Sequence, residues 1–186
     1  MDLLTRYLPH HHFAEAHSLH VPAAPARVLA VVSRPDVVDD PVARRLIALR
    51  EWPNRLAGRL GFKAALEGRP SFGLANFTDL GQDGEREKAF GLAGRFWQSD
   101  YGLLDVPDAP AFLALDAPGI AKLVMNFTVD AERDGTRLTT RTHVWCSDAT
   151  ALRRFRPYWL LIRPASGLIR QRLLRRARDA ALATAG

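Results

Sequence analysis

A single cysteine, Cys146, stands in 186 residues, which excludes an intrachain disulfide and any cysteine-based zinc site. No stretch approaches the roughly 18 apolar residues that span a bilayer. The opening residues, Met1-Asp2-Leu3-Leu4-Thr5-Arg6, lack the charged-then-apolar pattern of a secretory signal. Together these absences set the expectation of a cytoplasmic protein. There is no Gly-x-Ser-x-Gly elbow, Walker loop or dinucleotide fingerprint, no internal repeat and no low-complexity tract. Acidic residues are missing from one place in particular: 153–178 hold nine arginines and no Asp or Glu. Since the net charge is only +6, the rest of the chain is net acidic. The basicity belongs to one element, which weakens a general nucleic-acid reading and sharpens a local one.

What is present suits one globular domain, 1–186, long enough for a real core. Residues 1–12, including His10-His11-His12, read as a loosely structured lead-in. From 13 to 21 alternation places Phe13, Glu15, His17, Leu19 and Val21 on one face of a strand. Pro25 suits the first turn of a short apolar helix over 26–33. Asp39 or Asp40 can cap the next helix, with Pro41 in its first turn and Val42, Leu46, Ile47 and Leu49 on its apolar face. Pro53 stops or kinks it, 54–60 adds a further turn or two, and 61–70 is helical or irregular.

Beyond Phe72 the period changes to two. Strands are expected over 72–80 and 85–97, around a turn at 81–84. On the second, Phe90, Leu92, Gly94 and Phe96 share a face. A loop or broken strand at 98–109 leads to a short strand at 111–115. The firmest signal is a hairpin of strands 119–130 and 136–146, joined by Arg133-Asp134-Gly135. Ala121, Leu123, Met125, Phe127 and Val129 face one way, as do Leu138, Thr140, Thr142, Val144 and Cys146 on the partner. The opposite faces, with Lys122, Asn126, Thr128, Asp130, Arg141 and His143, read as wet. A long helix follows, capped by Ser147 or Asp148. Its apolar stripes are Leu152, Phe155, Trp159 and Ile162, then Ile169, Leu173, Ala177 and Ala180. Pro157 and Pro164 lie about two turns apart, so it either kinks twice toward one side or breaks near 164–167.

This order resembles the helix-grip fold of START lipid-transfer domains, the birch-pollen allergen family and the bacterial polyketide cyclase/dehydrase-like (SRPBCC-type) proteins. Residues 17–29 (His-Ser-Leu-His-Val-Pro-Ala-Ala-Pro-Ala-Arg-Val-Leu) resemble the strand, Ala-Pro and helix opening of the bacterial superfamily. Residues 91–97 (Gly-Leu-Ala-Gly-Arg-Phe-Trp), 126–129 (Asn-Phe-Thr-Val) and 155–169 resemble an uncharacterised bacterial branch of it. The resemblance implies an α+β domain: a curved antiparallel sheet wrapped around a long kinked C-terminal helix, with two short helices after the first strand. It also implies a cavity between sheet and helix, and it brings no universal catalytic set.

Phe90, Leu92, Phe96, Leu123, Met125, Phe127, Thr140, Thr142 and Trp159 are the expected lining, either of a pocket with apolar walls and sparse polar anchors or of a filled core. The expected role is binding of a small hydrophobic or amphipathic molecule, with no cofactor. The alternative is a cyclase or aromatase in which His17 is a general base oriented by Glu15, helped by Thr140 or Thr142. His10, His12, His17 and His20 lack the carboxylate or thiolate spacing of a metal site, so no metal is expected. Cys146 reads as a small buried hydrophobe. The Arg-rich face is either solvated or, through Arg170, Arg172, Arg175 and Arg176, a docking surface for an anionic membrane or acidic partner. Nucleic acid is not expected, because no groove-reading motif or spaced aromatics accompany the charge. Oligomeric state is not fixed by the sequence.

Overall fold

In a computed structural model of the chain, residues 2–32, 34, 37, 40–42, 44–45, 47–48 and 76–183 are described. The elements expected over 54–60, 61–70 and the start of the 72–80 strand lie outside them, as do Asp39, Leu46, Leu49 and Pro53. Five strands, β1 (Phe13–Val21), β2 (Thr78–Asp83), β3 (Glu87–Gly94), β4 (Ala121–Glu132) and β5 (Gly135–Cys146), form one antiparallel sheet in the order β1-β5-β4-β3-β2. Helices α1 (Leu3–Tyr7), α2 (Pro25–Val31), α3 (Ala109–Ala114) and α4 (Ala149–Ala183), with further helical residues at 41–42, 44–45 and 47–48 where the helix begun by Pro41 was expected, make up the rest of the described α+β architecture. It is the helix-grip-like arrangement expected.

The hairpin forms as its alternation demands. Leu123 pairs with Val144, Met125 with Thr142, Phe127 with Thr140 and Val129 with Leu138, so both apolar sets share the inner face. A Cβ at Gly135, where φ is 155°, would collide with the Val21 carbonyl, which fixes glycine beside the turn. β1 pairs with β5, setting Glu15 opposite Thr142 and His17 opposite Thr140.

α4 covers the inner face. Asp148 accepts from the amides of Ala151 (2.8 Å) and Gly119 (2.6 Å), satisfying a helix N-terminal donor while tying the helix to the strand entry. The helix runs unbroken through Pro157 and Pro164, although each proline removes an intrahelical hydrogen bond. Both prolines are exposed, so the freed carbonyls fall on the water side, where the loss is best tolerated. Beneath α4 lie two apolar clusters. One joins Phe13, Leu92, Phe96, Val144 and Cys146 to Phe155 and Trp159. The other joins Val21, Val28, Phe90, Phe127 and Leu138 to Leu174, Ala177 and Ala181. Burying each large side chain contributes about 1.5–3 kcal/mol.

Four expectations need correction. The lead-in is a packed helix: Asp2 caps α1 through the Thr5 amide at 2.8 Å, and Leu3, Leu4, Tyr7 and Leu8 are buried on the outer face of the sheet. The short strand at 111–115 is α3, capped by Asp108 through the Ala111 amide, with Pro110 in its first turn. Its Phe112 is fully buried against Gly91, where a Cβ would come within 2.8 Å of the ring. The β2–β3 turn falls at 84–86, because Gly81 is absorbed into a bulge. Finally, the outer face is wet only in part: α1 and α3 cover it, and Glu87, Lys122, Asn126 and Thr139 are buried there.

Candidate functional site

Between the two inner-face clusters the packing turns polar. β1 supplies Glu15 and His17, two residues apart and therefore on one face, with His17 Nε2 2.8 Å from Glu15 Oε1. Their side chains are 7% and 19% exposed respectively. β5 supplies Thr140 and Thr142, both fully buried, opposite His17 and Glu15. α4 closes over them at Gly167, the one point where the helix has no side chain to interpose. A Cβ there would lie 3.1 Å from Glu15 Oε1 and 3.6 Å from His17 Nε2. One turn further, Arg170 turns inward, and its Nε reaches Ser166 Oγ at 3.4 Å. Burial lowers its pKa to about 10, with the Glu15 charge opposing that shift.

This belt is incompletely satisfied. Glu15 Oε2, Thr140 Oγ1, Thr142 Oγ1 and Arg170 Nη1 are shut off from solvent, and none has a hydrogen-bond partner. A buried polar group without a partner costs about 1–3 kcal/mol, and four in one place are unusual in a native interior. They offer an acceptor, a guanidinium donor and two hydroxyls to anything that enters.

Phe90, Leu92, Met125 and Phe127 are buried on the inner face around this belt, with Leu123 half-buried among them. Phe96 and Trp159 belong to the same face at the Phe155 end. All nine expected lining residues therefore gather on the sheet side that α4 covers. A cavity outlined by described residues lies elsewhere. It measures about 290 Å³ on the outer face, bordered by Asp2, Asp83, Arg86, Glu87, Thr128, Asp130 and Arg141.

Arg170 is the belt residue that sequence reasoning misplaced, because a charge within an arginine run reads as solvated. Two more of the four docking arginines are also engaged. Arg172 makes a bidentate contact with buried Asp40, at 2.6 and 3.0 Å, and Arg176 Nε donates to the Val37 carbonyl at 2.9 Å. The Arg172 guanidinium holds the Asp40 carboxyl below its ordinary range. Asp40 also accepts from the Val42 amide at 3.1 Å, as a cap for the turn begun by Pro41. Of the four, Arg175 is left exposed.

Four of the five remaining histidines are engaged separately, and His10 is exposed. His12 Nδ1 accepts from the Cys146 amide at 3.0 Å, His20 Nδ1 lies 2.8 Å from Glu132, and the His11 and His143 rings stack 3.7 Å apart. His143, expected on a wet face, is half-buried, and burial together with the His11 charge pushes its pKa down to about 4. Lys122, expected in solvent, is buried over the Phe112 ring at 4.7 Å. Burial raises the Cys146 thiol to about 12. Among the described residues no three His, Cys, Asp or Glu side chains converge as a metal site, and no helix is long and apolar enough to cross a membrane.

No protein-family model matches the chain, and no curated protein matches it. Among solved structures, the crystal structure of TTHA0849 from Thermus thermophilus aligns over 94% of this chain and 100% of its own. The identity is 10% and the TM-score 0.34, a likeness too slight to carry an argument.

Proposed function

We propose that the protein binds a small amphipathic molecule between the sheet and α4, in the manner of a helix-grip domain and without a cofactor. The observation that carries this reading is the set of four buried, unpartnered polar atoms on Glu15, Thr140, Thr142 and Arg170. A ligand hydroxyl or carbonyl placed among them would supply the hydrogen bonds that these atoms lack. The apolar body would lie against Leu123, Met125 and Phe127. A cytoplasmic setting belongs to the same proposal.

Native mass spectrometry of the freshly purified full chain tests it. The expected result is a population heavier than the polypeptide by one small molecule, reduced in Thr140→Val/Thr142→Val. A single species at the polypeptide mass, together with no uptake of a fluorescent fatty-acid probe, overturns the reading.

The 2.8 Å contact between Glu15 and His17 favours a second reading, a cyclase- or aromatase-like enzyme. With Nε2–H given to the carboxylate, His17 Nδ1 keeps a lone pair and can take a proton from a carbon beside a carbonyl. Passing that proton to a departing hydroxide releases water, which completes an aldol dehydration. Loss of turnover in His17→Gln with ligand uptake retained would separate this from simple binding.

A further inference from the structure

α4 carries a second apolar stripe, and it faces water. Pro157, Leu160, Leu161, Pro164 and Leu168 recur at i, i+3, i+4, i+7 and i+11, the spacing of one helix face, and all five are exposed. Leu160 is 72% exposed and Leu161 80%, the highest values among the large hydrophobic residues described. The buried side of the same turns is Ala151, Phe155 and Trp159, so the stripe is not the core face displaced. A single exposed leucine is ordinary; a continuous stripe marks a contact surface.

Arginines continue the stripe at its N-terminal end (Arg153 and Arg154) and line one flank of it (Arg156 and Arg163). Arg153, Arg154, Arg156 and Arg163 are exposed, and no acidic residue occurs between Asp148 and Asp179. Arg153 reaches only the Thr150 hydroxyl, at 3.3 Å. Beyond the stripe Arg175 is exposed as well, but Arg172 and Arg176 are turned to internal partners and Arg170 turns inward, so the exposed positive charge of the helix gathers mainly here. An apolar strip bordered by arginines has the composition of a helix that lies in the plane of a bilayer surface.

We propose that the 153–168 segment of α4 docks on an anionic membrane surface. Leu160, Leu161 and Leu168 enter the boundary between headgroups and acyl chains, while Arg153, Arg154, Arg156 and Arg163 meet lipid phosphates. A nucleic-acid backbone would leave the leucine pair in water. A second copy seated on the same stripe would bring two like-charged arginine groups together. The proposal does not depend on the inner-face site, because none of these side chains reaches the belt.

Vesicle flotation of the full chain tests it, comparing phosphatidylcholine vesicles with vesicles that also contain phosphatidylserine. Binding is expected to the anionic vesicles alone and to fall steeply with salt. Arg153→Gln/Arg154→Gln/Arg156→Gln should weaken it roughly a hundredfold, at about a factor of five per charge near the surface. Leu160→Ser/Leu161→Ser should weaken it at least about tenfold, with the thermal midpoint and small-molecule uptake unchanged. Absence of binding, equal binding to neutral vesicles, or wild-type binding by the leucine variant overturns the proposal. So does a dimer in sedimentation velocity that the leucine variant abolishes, or binding to an acidic polypeptide or RNA without binding to vesicles.

Discussion

Two buried glutamates on the same sheet are treated in opposite ways. Glu87, on the outer face, has both oxygens claimed: Oε1 accepts from Asn126 Nδ2 at 2.7 Å and Oε2 from the Leu3 amide at 2.9 Å. Asn126 passes the network on by accepting from the Arg141 amide. Glu15, on the inner face, has one oxygen on His17 and one with no partner. The first carboxylate is a structural joint that holds α1 to β3 and β4. The second is half used, beside two idle hydroxyls and an idle guanidinium nitrogen. Buried polar groups that complete one another specify architecture; groups that remain incomplete after folding are available for something else.

The same substitution at both positions breaks or sharpens this contrast. Glu87→Gln replaces an acceptor with an amide that faces a donor, and should cost about 3 kcal/mol by loosening α1 from the sheet. Glu15→Gln should cost less, about 1–2 kcal/mol, because the altered oxygen has no hydrogen bond to lose and the cost is confined to the counter-charge removed from Arg170. Urea unfolding of the two variants reads both values. Comparable costs would mean that Glu15 is also a joint, and the inner site would lose its distinction.

How far this contrast was legible beforehand depends on range. Alternation in β4 and β5 is a local pattern, and it placed Thr140, Thr142, Met125 and Phe127 on one face, because a period of two assigns faces without knowledge of partners. The outer face misled for a related reason. Lys122, Asn126 and Thr128 look like solvent residues until α1 and α3 are known to cover that side, and both helices were missed. Their signals were present: Asp2 before Leu3-Leu4, and Asp108 before Pro110, each a cap ahead of a short apolar run. Five or six residues, however, give too little periodicity to tell helix from strand. Arg170 was illegible for a different reason. Its counter-charge, Glu15, lies at the other end of the chain, and only the closure of α4 over β1 at Gly167 brings them together.

His143 tests whether an unpartnered buried atom on the outer face behaves differently from those on the inner one. Its Nδ1 is buried without a partner, and its pKa falls from 6.5 to about 4 in the folded protein. A depressed pKa contributes nothing against stability above the unfolded value. As the pH drops from 6.5 toward 4 the unfolded chain takes up a proton that the folded state resists, so stability declines over that window. Because the ring is half-buried, solvent screening keeps the loss to about 1 kcal/mol. His143→Gln should flatten the decline between pH 6.5 and 4.5 in thermal melts. An unchanged slope would place the titration on other groups and leave His143 outside the comparison.

The smallest expected effect is the most discriminating. Thr140→Val and Thr142→Val keep side-chain shape and remove hydroxyls that no neighbour satisfies, so the double variant should be neutral or more stable by up to about 1 kcal/mol. A hydroxyl that served the fold would instead cost roughly 1 kcal/mol when lost. Met125 and Phe127 flank these threonines across β4, and valine extends that apolar wall without altering its shape. A gain in stability coupled to a loss of small-molecule uptake would separate what the hydroxyls do for folding from what they do for a ligand. If stability falls in parallel with uptake, the threonines belong with Glu87, as parts of the frame.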